Sequence, residues 1–266
     1  MRKIKNLLCI VFVGIVSLVF LIMPGSLQAQ QNEYGLGLGV ATYSGDIIRR
    51  VDPGQIGLQG TFFGRRNFDN VWSIRFGTSV ARLNAADSVR PLDAMAEARN
   101  AFFKGTLIEG HALMEFHFLD YLAPHSKFRY TPYGFIGFGY ALFFGNGRSF
   151  EGNPDNPQGG VEESYSLGTP VIPFGIGIKY HLRERLFLAL EMGFRPTVTD
   201  FLDKIEYNEN YISRFPDPDY VPDPDDPYDV PPPYGVNYGN KSDKDWYYFL
   251  GVTLSYSFHQ VECYKY

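Results

Sequence analysis

Cysteine is nearly missing: the 266 residues hold two, Cys9 and Cys263. So few exclude a disulfide framework, and no CxxC pair exists to hold zinc or exchange thiols. The sequence also has no HExxH and no GxSxG, which removes the commonest zinc-peptidase and serine-hydrolase signatures. Positive charge is in the minority, with 24 Lys and Arg against 29 Asp and Glu and a net charge of −5. That balance argues against nucleic acid as a partner. Helix-period segments are scarce. Beyond one run near the start, no apolar stretch reaches the ~18 residues that a spanning helix needs.

That one run belongs to a leader. The chain opens "MRKIKNLLCIVFVGIVSLVFLIMPGSLQAQ". Arg2, Lys3 and Lys5 precede an apolar run from Leu7 to Met23, which Pro24 and Gly25 break. Ala29 offers a small-residue cleavage site before Gln30. The pattern predicts a secretory signal peptide over residues 1–29. An N-terminal membrane anchor is the alternative, but the run is short for a full span. Cys9 lies too early to be a lipidated cysteine after cleavage. Removal takes three positive charges and no negative ones, so −5 becomes −8 and Cys263 is the last cysteine.

Aromatic residues are abundant at 17%, and there are 28 glycines, an all-β composition. Eight segments alternate with a period of two, the mark of a strand. They are "EYGLGLGVATYSG", "QIGLQGTFFGRR", "VWSIRFGTSVARL", a segment over about 101–118, "YGFIGFGYALFF", "IPFGIGIKYHL", "LFLALEMGFRP" and "WYYFLGVTLSYSF". In the third, Trp72, Ile74, Phe76, Thr78 and Val80 oppose Ser73, Arg75, Gly77, Ser79 and Ala81. In every segment one face is large and apolar. The other is glycine, alanine and serine with scattered charges of both signs. The glycines at 35, 37 and 39 and at 175 and 177 therefore belong to strands, and no helix follows to make a phosphate-cradling turn.

The connections sort by length. Short links follow the second, fourth and sixth segments; long ones, about 44–54, 84–100, 145–169 and 197–244, follow the first, third, fifth and seventh. Short turns at one end and long loops at the other are the habit of outer-membrane barrels. A soluble sandwich has no reason to sort its loops so; a soluble β-sandwich or a lipocalin-like barrel is the alternative reading. Small residues on the second face suit a narrow closed barrel, whose interior barely holds its own side chains. The predicted fold is all-β, an eight-stranded antiparallel transmembrane β-barrel of outer-membrane type. It would span residues 30–258 in the outer membrane, among its lipids, with a short periplasmic tail over 259–266.

Within that fold the small-residue face points inward. Glu109, His111, Glu115 and His117 then share the lumen with Arg75, Lys179, Glu191 and Arg195. A closed lumen must pair its charges, so a structural ion network over Arg75, Glu109, Glu115, Lys179, Glu191 and Arg195 is expected. Two histidines and two carboxylates on one strand also match a transition-metal donor set. The network accounts for the same residues with no metal, and no cofactor is expected. The last long loop carries Asp217, Asp219, Asp223, Asp225, Asp226 and Asp229 among prolines. Calcium is conceivable there, but prolines do not fit an EF-hand, so a solvated outer loop over 215–234 is expected. Cys263 lies beyond the last strand in the predicted periplasm, flanked by Glu262 and Tyr264. A lone thiol there is a free end or an intermolecular disulfide.

Several runs occur together in order: "GLGVATYSGDI", "EFHFLDYLAP", "TPYGFIGFG", "IPFGIGIKYHL", "LEMGFRPTVTDFLD" and "DWYYFLGVTLSYSF". In this order they resemble the PorG family, outer-membrane barrel components of the type IX secretion system. The resemblance covers nearly the whole mature chain, though each run alone is weak. It implies an accessory membrane component, neither an enzyme nor the translocation pore. It also implies association with the periplasmic ring built from the lipoprotein PorK and its partner PorN. On that reading Glu262, Cys263 and Tyr264 in the tail are candidate partner contacts. The long acidic loop departs from the family pattern. Two other functions are consistent with the residues: a generic small barrel with a structural or adhesive role, and a lipid-active outer-membrane enzyme.

Overall fold

The structure is a computed structural model, which describes residues 31–49, 52–92, 100–120, 128–149, 161–183, 185–203, 205 and 244–258. The predicted leader 1–29, the acidic loop 215–234 and the tail 259–266 lie outside the described residues. Among the described residues there are nine strands: β1 Gln31–Ser44, β2 Gly57–Asn67, β3 Trp72–Ala86, β4 Phe102–His117, β5 Tyr130–Ser149, β6 Val161–Val171, β7 Phe174–Arg183, β8 Leu186–Pro196 and β9 Trp246–Ser257. Each pairs antiparallel with its neighbours, β1 pairs with β9, and β4 with β5, so the sheet closes on itself.

β6 and β7 are two halves of one barrel strand. β6 pairs with β5 from Gly139 to Ser149, and β7 pairs with the same strand from Tyr130 to Ile136. The ring is thus an eight-stranded barrel. The break falls at Ile172 and Pro173, where proline has no N–H for the ladder. Gly137 N donates to Pro173 O at 2.8 Å and Ile172 N to Pro196 O at 3.3 Å, which stitches the gap on both sides.

Periodicity of apolar residues starts the sixth strand at Ile172 and assigns 145–169 to a loop. The structure corrects this. β5 runs on to Ser149 and β6 begins at Val161, leaving only 150–160 between them. Both extensions leave the apolar zone, so their outward residues Asn146, Arg148, Glu162, Ser164 and Ser166 are polar. The amphipathic contrast is lost there, although Tyr165, Leu167 and Val171 keep the inward period.

The register fixes the geometry. The ladder runs from Leu142 through Ile108, Val80, Gly60, Leu38, Val252, Leu190 and Ile178, and returns to β5 at Pro132, ten residues lower. That stagger gives strongly tilted strands, about 35–45° in barrels of this size, around an interior that side chains fill.

Exposure settles which face is inside. Leu38 and Phe138 are each 77% exposed and Phe76 is 52% exposed, whereas Arg75 is 3% and Ser79 0% exposed. Outward side chains are charged only near the strand ends. Aromatic contacts gather in two belts. Trp72–Phe116, Phe116–Phe118 and Tyr34–Phe258 lie at the short-turn end; Phe174–Phe194, Phe194–Tyr248 and Trp246–Tyr248 lie at the other. An apolar band between two aromatic girdles is a surface made for lipid. Closure pairs the strands all round, which a hydrocarbon surrounding demands. The chain is a barrel of the outer membrane. No helix among the described residues is long and apolar enough to cross a bilayer; the strands make the crossing.

Candidate functional site: a packed lumen and its outer mouth

The inward face is arranged in layers. Nearest the short turns is an ion cluster of three carboxylates and three cations. Arg65 Nη1 donates to Glu33 Oε2 at 2.8 Å, and Lys179 Nζ donates to both Glu33 oxygens at 2.9 Å. Glu115 joins two guanidinium groups, with Arg65 Nε at 2.7 Å and Arg75 Nε at 2.9 Å. Arg75 Nη1 donates to Glu191 Oε1 at 2.6 Å, and the Tyr133 hydroxyl donates to the same oxygen. Aromatic rings lie under the cations: Arg65 and Arg75 sit 5.0 and 5.2 Å from Phe63, and Lys179 sits 4.6 Å from Phe187. Phe63 fits because Gly35, on the neighbouring strand, has no Cβ to meet its ring.

A second, smaller cluster lies higher. Arg195 Nε donates to Glu109 Oε2 at 2.9 Å, His111 Nδ1 is 2.9 Å from Glu109 Oε1, and the Tyr247 hydroxyl donates to Glu109 Oε2. The Arg195 guanidinium lies 3.9 Å over the Phe249 ring and occupies the space that a side chain at Gly193 would fill. Four carboxylates thus meet four cations in the described lumen. Between the clusters is a cavity of about 30 Å³, lined by Thr61, Ser79, His111, Arg195 and Thr253 among others. At roughly 10–15 Å³ per water it holds two or three waters, not a solute. Above it Tyr43, Leu83, Phe103, Leu107 and Phe143 pack into an apolar plug that Ile47, Ile48, Leu202 and Ile205 complete from the loops.

All six residues expected in the lumen charge network face inward. Arg75, Glu115, Lys179 and Glu191 lie in the lower cluster, and Glu109 and Arg195 in the upper. The four potential metal donors form two separate pairs, His111 with Glu109 at 2.9 Å and His117 with Glu115 at 3.6 Å, and not one set. The carboxylates are taken by guanidinium groups, and His117 Nε2 is 3.1 Å from Ser73 Oγ. Among the described residues no group of three or more His, Cys, Asp or Glu is placed to hold a metal ion. Glu262, Cys263 and Tyr264 lie outside the described residues. Glu33, Arg65, Tyr133 and Tyr247 complete the clusters and were absent from the sequence expectation. Glu33 precedes Gly35 by two positions and Arg65 follows Phe63 by two, so extending each alternation would have found them.

The outer mouth carries a different chemistry. The Tyr43 hydroxyl is 2.7 Å from Asp203 Oδ2 and 2.7 Å from Asp245 Oδ1. A phenol has one hydrogen, so it serves one carboxylate; the other contact needs a carboxylic acid proton aimed at the phenol oxygen. Burial, then Asp245 and Asp46, push Asp203 well above the usual carboxylate range. Burial lifts Asp245 to about 7, with Asp200 and Asp46 adding to the rise and the Tyr43 bond opposing it. The same carboxyls hold the loop backbone: Leu202 N donates to Asp245 Oδ2 at 2.7 Å and Ile205 N to Asp203 Oδ1 at 2.9 Å. Tyr165 faces the cluster from β6, its hydroxyl donating to Leu202 O at 2.6 Å.

A pH dependence follows. A carboxyl whose folded value is raised stabilises the fold fully below its ordinary value, and that stability is lost as pH rises through the folded value. The seal at residues 199–203 and 205 is therefore expected to loosen as pH rises from about 4 through about 7, as two buried carboxylates come to face each other. Amide exchange at Leu202 and Ile205, corrected for intrinsic rates, should speed up at least tenfold over that range. Asp245→Asn keeps an acceptor for Leu202 N and gives a permanent donor to Tyr43, so it should stay protected at the alkaline end. Flat protection in the unmodified protein would show that no proton is shared.

Residues 12–217 match the model of a family described as "Domain of unknown function (DUF6089)". No curated protein matches the chain. Among solved structures, a major outer membrane protein from Thermus thermophilus is similar at 13% identity and a TM-score of 0.46, covering 87% of this chain and 100% of that one. Ail, the attachment invasion locus protein of Yersinia pestis, solved with the heparin analogue sucrose octasulfate, is similar at 12% identity and a TM-score of 0.41, over 86% of this chain and 100% of that one. Neisserial surface protein A is similar at 10% identity and a TM-score of 0.41, over 85% and 97%.

Proposed function

The chain belongs to the DUF6089 family, and we propose that it is an accessory outer-membrane component of the type IX protein secretion machinery. It would associate from its periplasmic side with the ring of PorK and PorN. The observation that carries this reading is the filled lumen. Among the described residues, paired charges, an apolar plug and a cavity sized for water leave no conduit, so the barrel is read as working through its ends and its rim. Among the described residues the outward band between the aromatic belts carries no charged side chain, so nothing there is poised on lipid for general acid or base work; the reading is non-enzymatic. The specific machinery comes from the ordered runs from "GLGVATYSGDI" to "DWYYFLGVTLSYSF".

Function at the periplasmic end runs through the turn at Asn67–Asn70, residues 119–129, the turn at 183–185 and the tail 259–266. The test is a pull-down of the ring lipoprotein from crosslinked cells, with and without reductant. Deleting 259–266 should weaken co-purification while the barrel still folds, because the pairing of β9 with β1 ends at Ser257. Shortening 217–233 should leave the association intact. A loop deletion that abolishes it, with a tail deletion that does not, would reverse the orientation or remove the partner. Recovery of neither deletion with any ring protein, with normal secretion, would favour a generic structural barrel.

A further inference from the structure

We propose that the outward face of the extracellular ends of β3, β4 and β5 binds the phosphorylated headgroup of an outer-leaflet lipid, through Arg82, Lys104 and Arg148. The inference rests on the membrane placement of the barrel and is independent of any role in secretion. On these strands Val80, Ile108 and Leu142 form the last fully apolar outward row, joined across the ladders. The next rows are Arg82 beside Thr106 and Phe144, then Asn84 beside Lys104 and Asn146, then Phe102 beside Arg148. The cations thus begin where lipid-facing residues stop, at the end opposite the short turns. That is the level of the outer-leaflet headgroups.

Three features favour an anion there over plain solvated charge. None of the three cations forms an ion pair among the described residues, and Glu162 is the carboxylate nearest in register, across from Arg148 at the edge of the patch. Lys104 Nζ and the Arg148 guanidinium lie 5.9 and 5.3 Å from the same Phe102 ring. One ring therefore gathers two like charges from adjacent strands, a placement that an intervening anion relieves. Arg148 Nε is also buried without a hydrogen-bond partner. The patch is continuous with a surface already solvated by acyl chains. A phosphorylated lipid gains both contacts, with its phosphate on the cations and its chains on Val80, Ile108 and Phe144. Free phosphate gains only the first.

The test is native mass spectrometry of the full barrel in uncharged detergent, with bis-phosphorylated lipid A as probe. The protein should retain this lipid at least tenfold more than its fully dephosphorylated form, a comparison that needs no variant. Arg82→Ser, Lys104→Ser and Arg148→Ser combined should lower retention at least tenfold with unchanged heat-modifiable gel mobility. Millimolar inorganic pyrophosphate should not displace the lipid. Equal retention of the two lipids, or undiminished retention by the folded variant, would overturn the proposal. Displacement by pyrophosphate would overturn the lipid as its occupant.

Discussion

Glu115→Ala is expected to destabilise the barrel by roughly 3–5 kcal/mol, the cost of breaking a buried ion pair and leaving its partner behind. Glu115 is 0% exposed and is the junction of the lower cluster. Its two oxygens hold Arg65 and Arg75, and Ser73 Oγ donates to one of them at 3.1 Å. With alanine there, two guanidinium groups share a water-poor lumen with one fewer negative charge. Arg75 keeps Glu191 and Arg65 keeps Glu33, so the cluster is weakened but not dissolved. Glu115→Gln should fall between, since the amide still accepts from Ser73 but repels one guanidinium with its own N–H groups. Adding Arg75→Ala to Glu115→Ala should recover part of the loss by restoring neutrality, a positive coupling in a double-mutant cycle. Urea unfolding in lipid vesicles, followed by the heat-modifiable band, measures the unmodified protein, these three variants and Arg75→Ala alone, which closes the cycle. A loss below about 1 kcal/mol for Glu115→Ala, the scale of one ordinary hydrogen bond, would mean that lumen water screens these charges.

The barrel was legible because lipid outside and a narrow lumen inside impose opposite demands on successive residues. Trp72, Ile74 and Phe76 against Ser73, Arg75 and Gly77 state that contrast within a few positions. Where the strands leave the lipid the contrast fades. β6 from Val161 to Val171 therefore looks like a loop in the sequence, because Glu162, Ser164 and Ser166 meet water. The paired charges were legible for a different reason. Inward polar groups in a closed space require partners, so Arg75, Glu109 and Glu191 could be named before their contacts were known. Which carboxylate meets which cation was not legible. That depends on the ten-residue stagger of the ring, which brings Lys179 of β7 to Glu33 of β1 across 146 positions of chain. The mouth was least legible. Asp203 and Asp245 sit in connections without any period, and only the closed fold places them on either side of Tyr43.

Phe76→Lys is expected to cost roughly 2–4 kcal/mol, the penalty for a lysine near the midplane of a barrel's lipid face. Phe76 stands on β3 with Gly64 and Ala112 opposite it on β2 and β4, both too small to shelter a charge. Trp72 lies four positions below it, in the aromatic belt at the short-turn end, and Arg82 six positions above, where the outward charges begin. A lysine at 76 is therefore distant from both interfaces, and its stem must stretch along the band to bring the ammonium near water. The matched control is Asn84→Lys, on the same strand and face but above the last apolar row. There the ammonium meets water and headgroups, and the expected cost is under about 1 kcal/mol even with Lys104 across the ladder. Phe76→Leu separates the charge from the lost ring, since it keeps an apolar surface toward lipid and should cost less than half as much as lysine. Reversible unfolding in vesicles of fixed lipid composition reads the differences directly. Equal costs for lysine at 76 and 84 would mean that depth in the bilayer does not distinguish the two positions, and the outward face of β3 would then have to be placed in water.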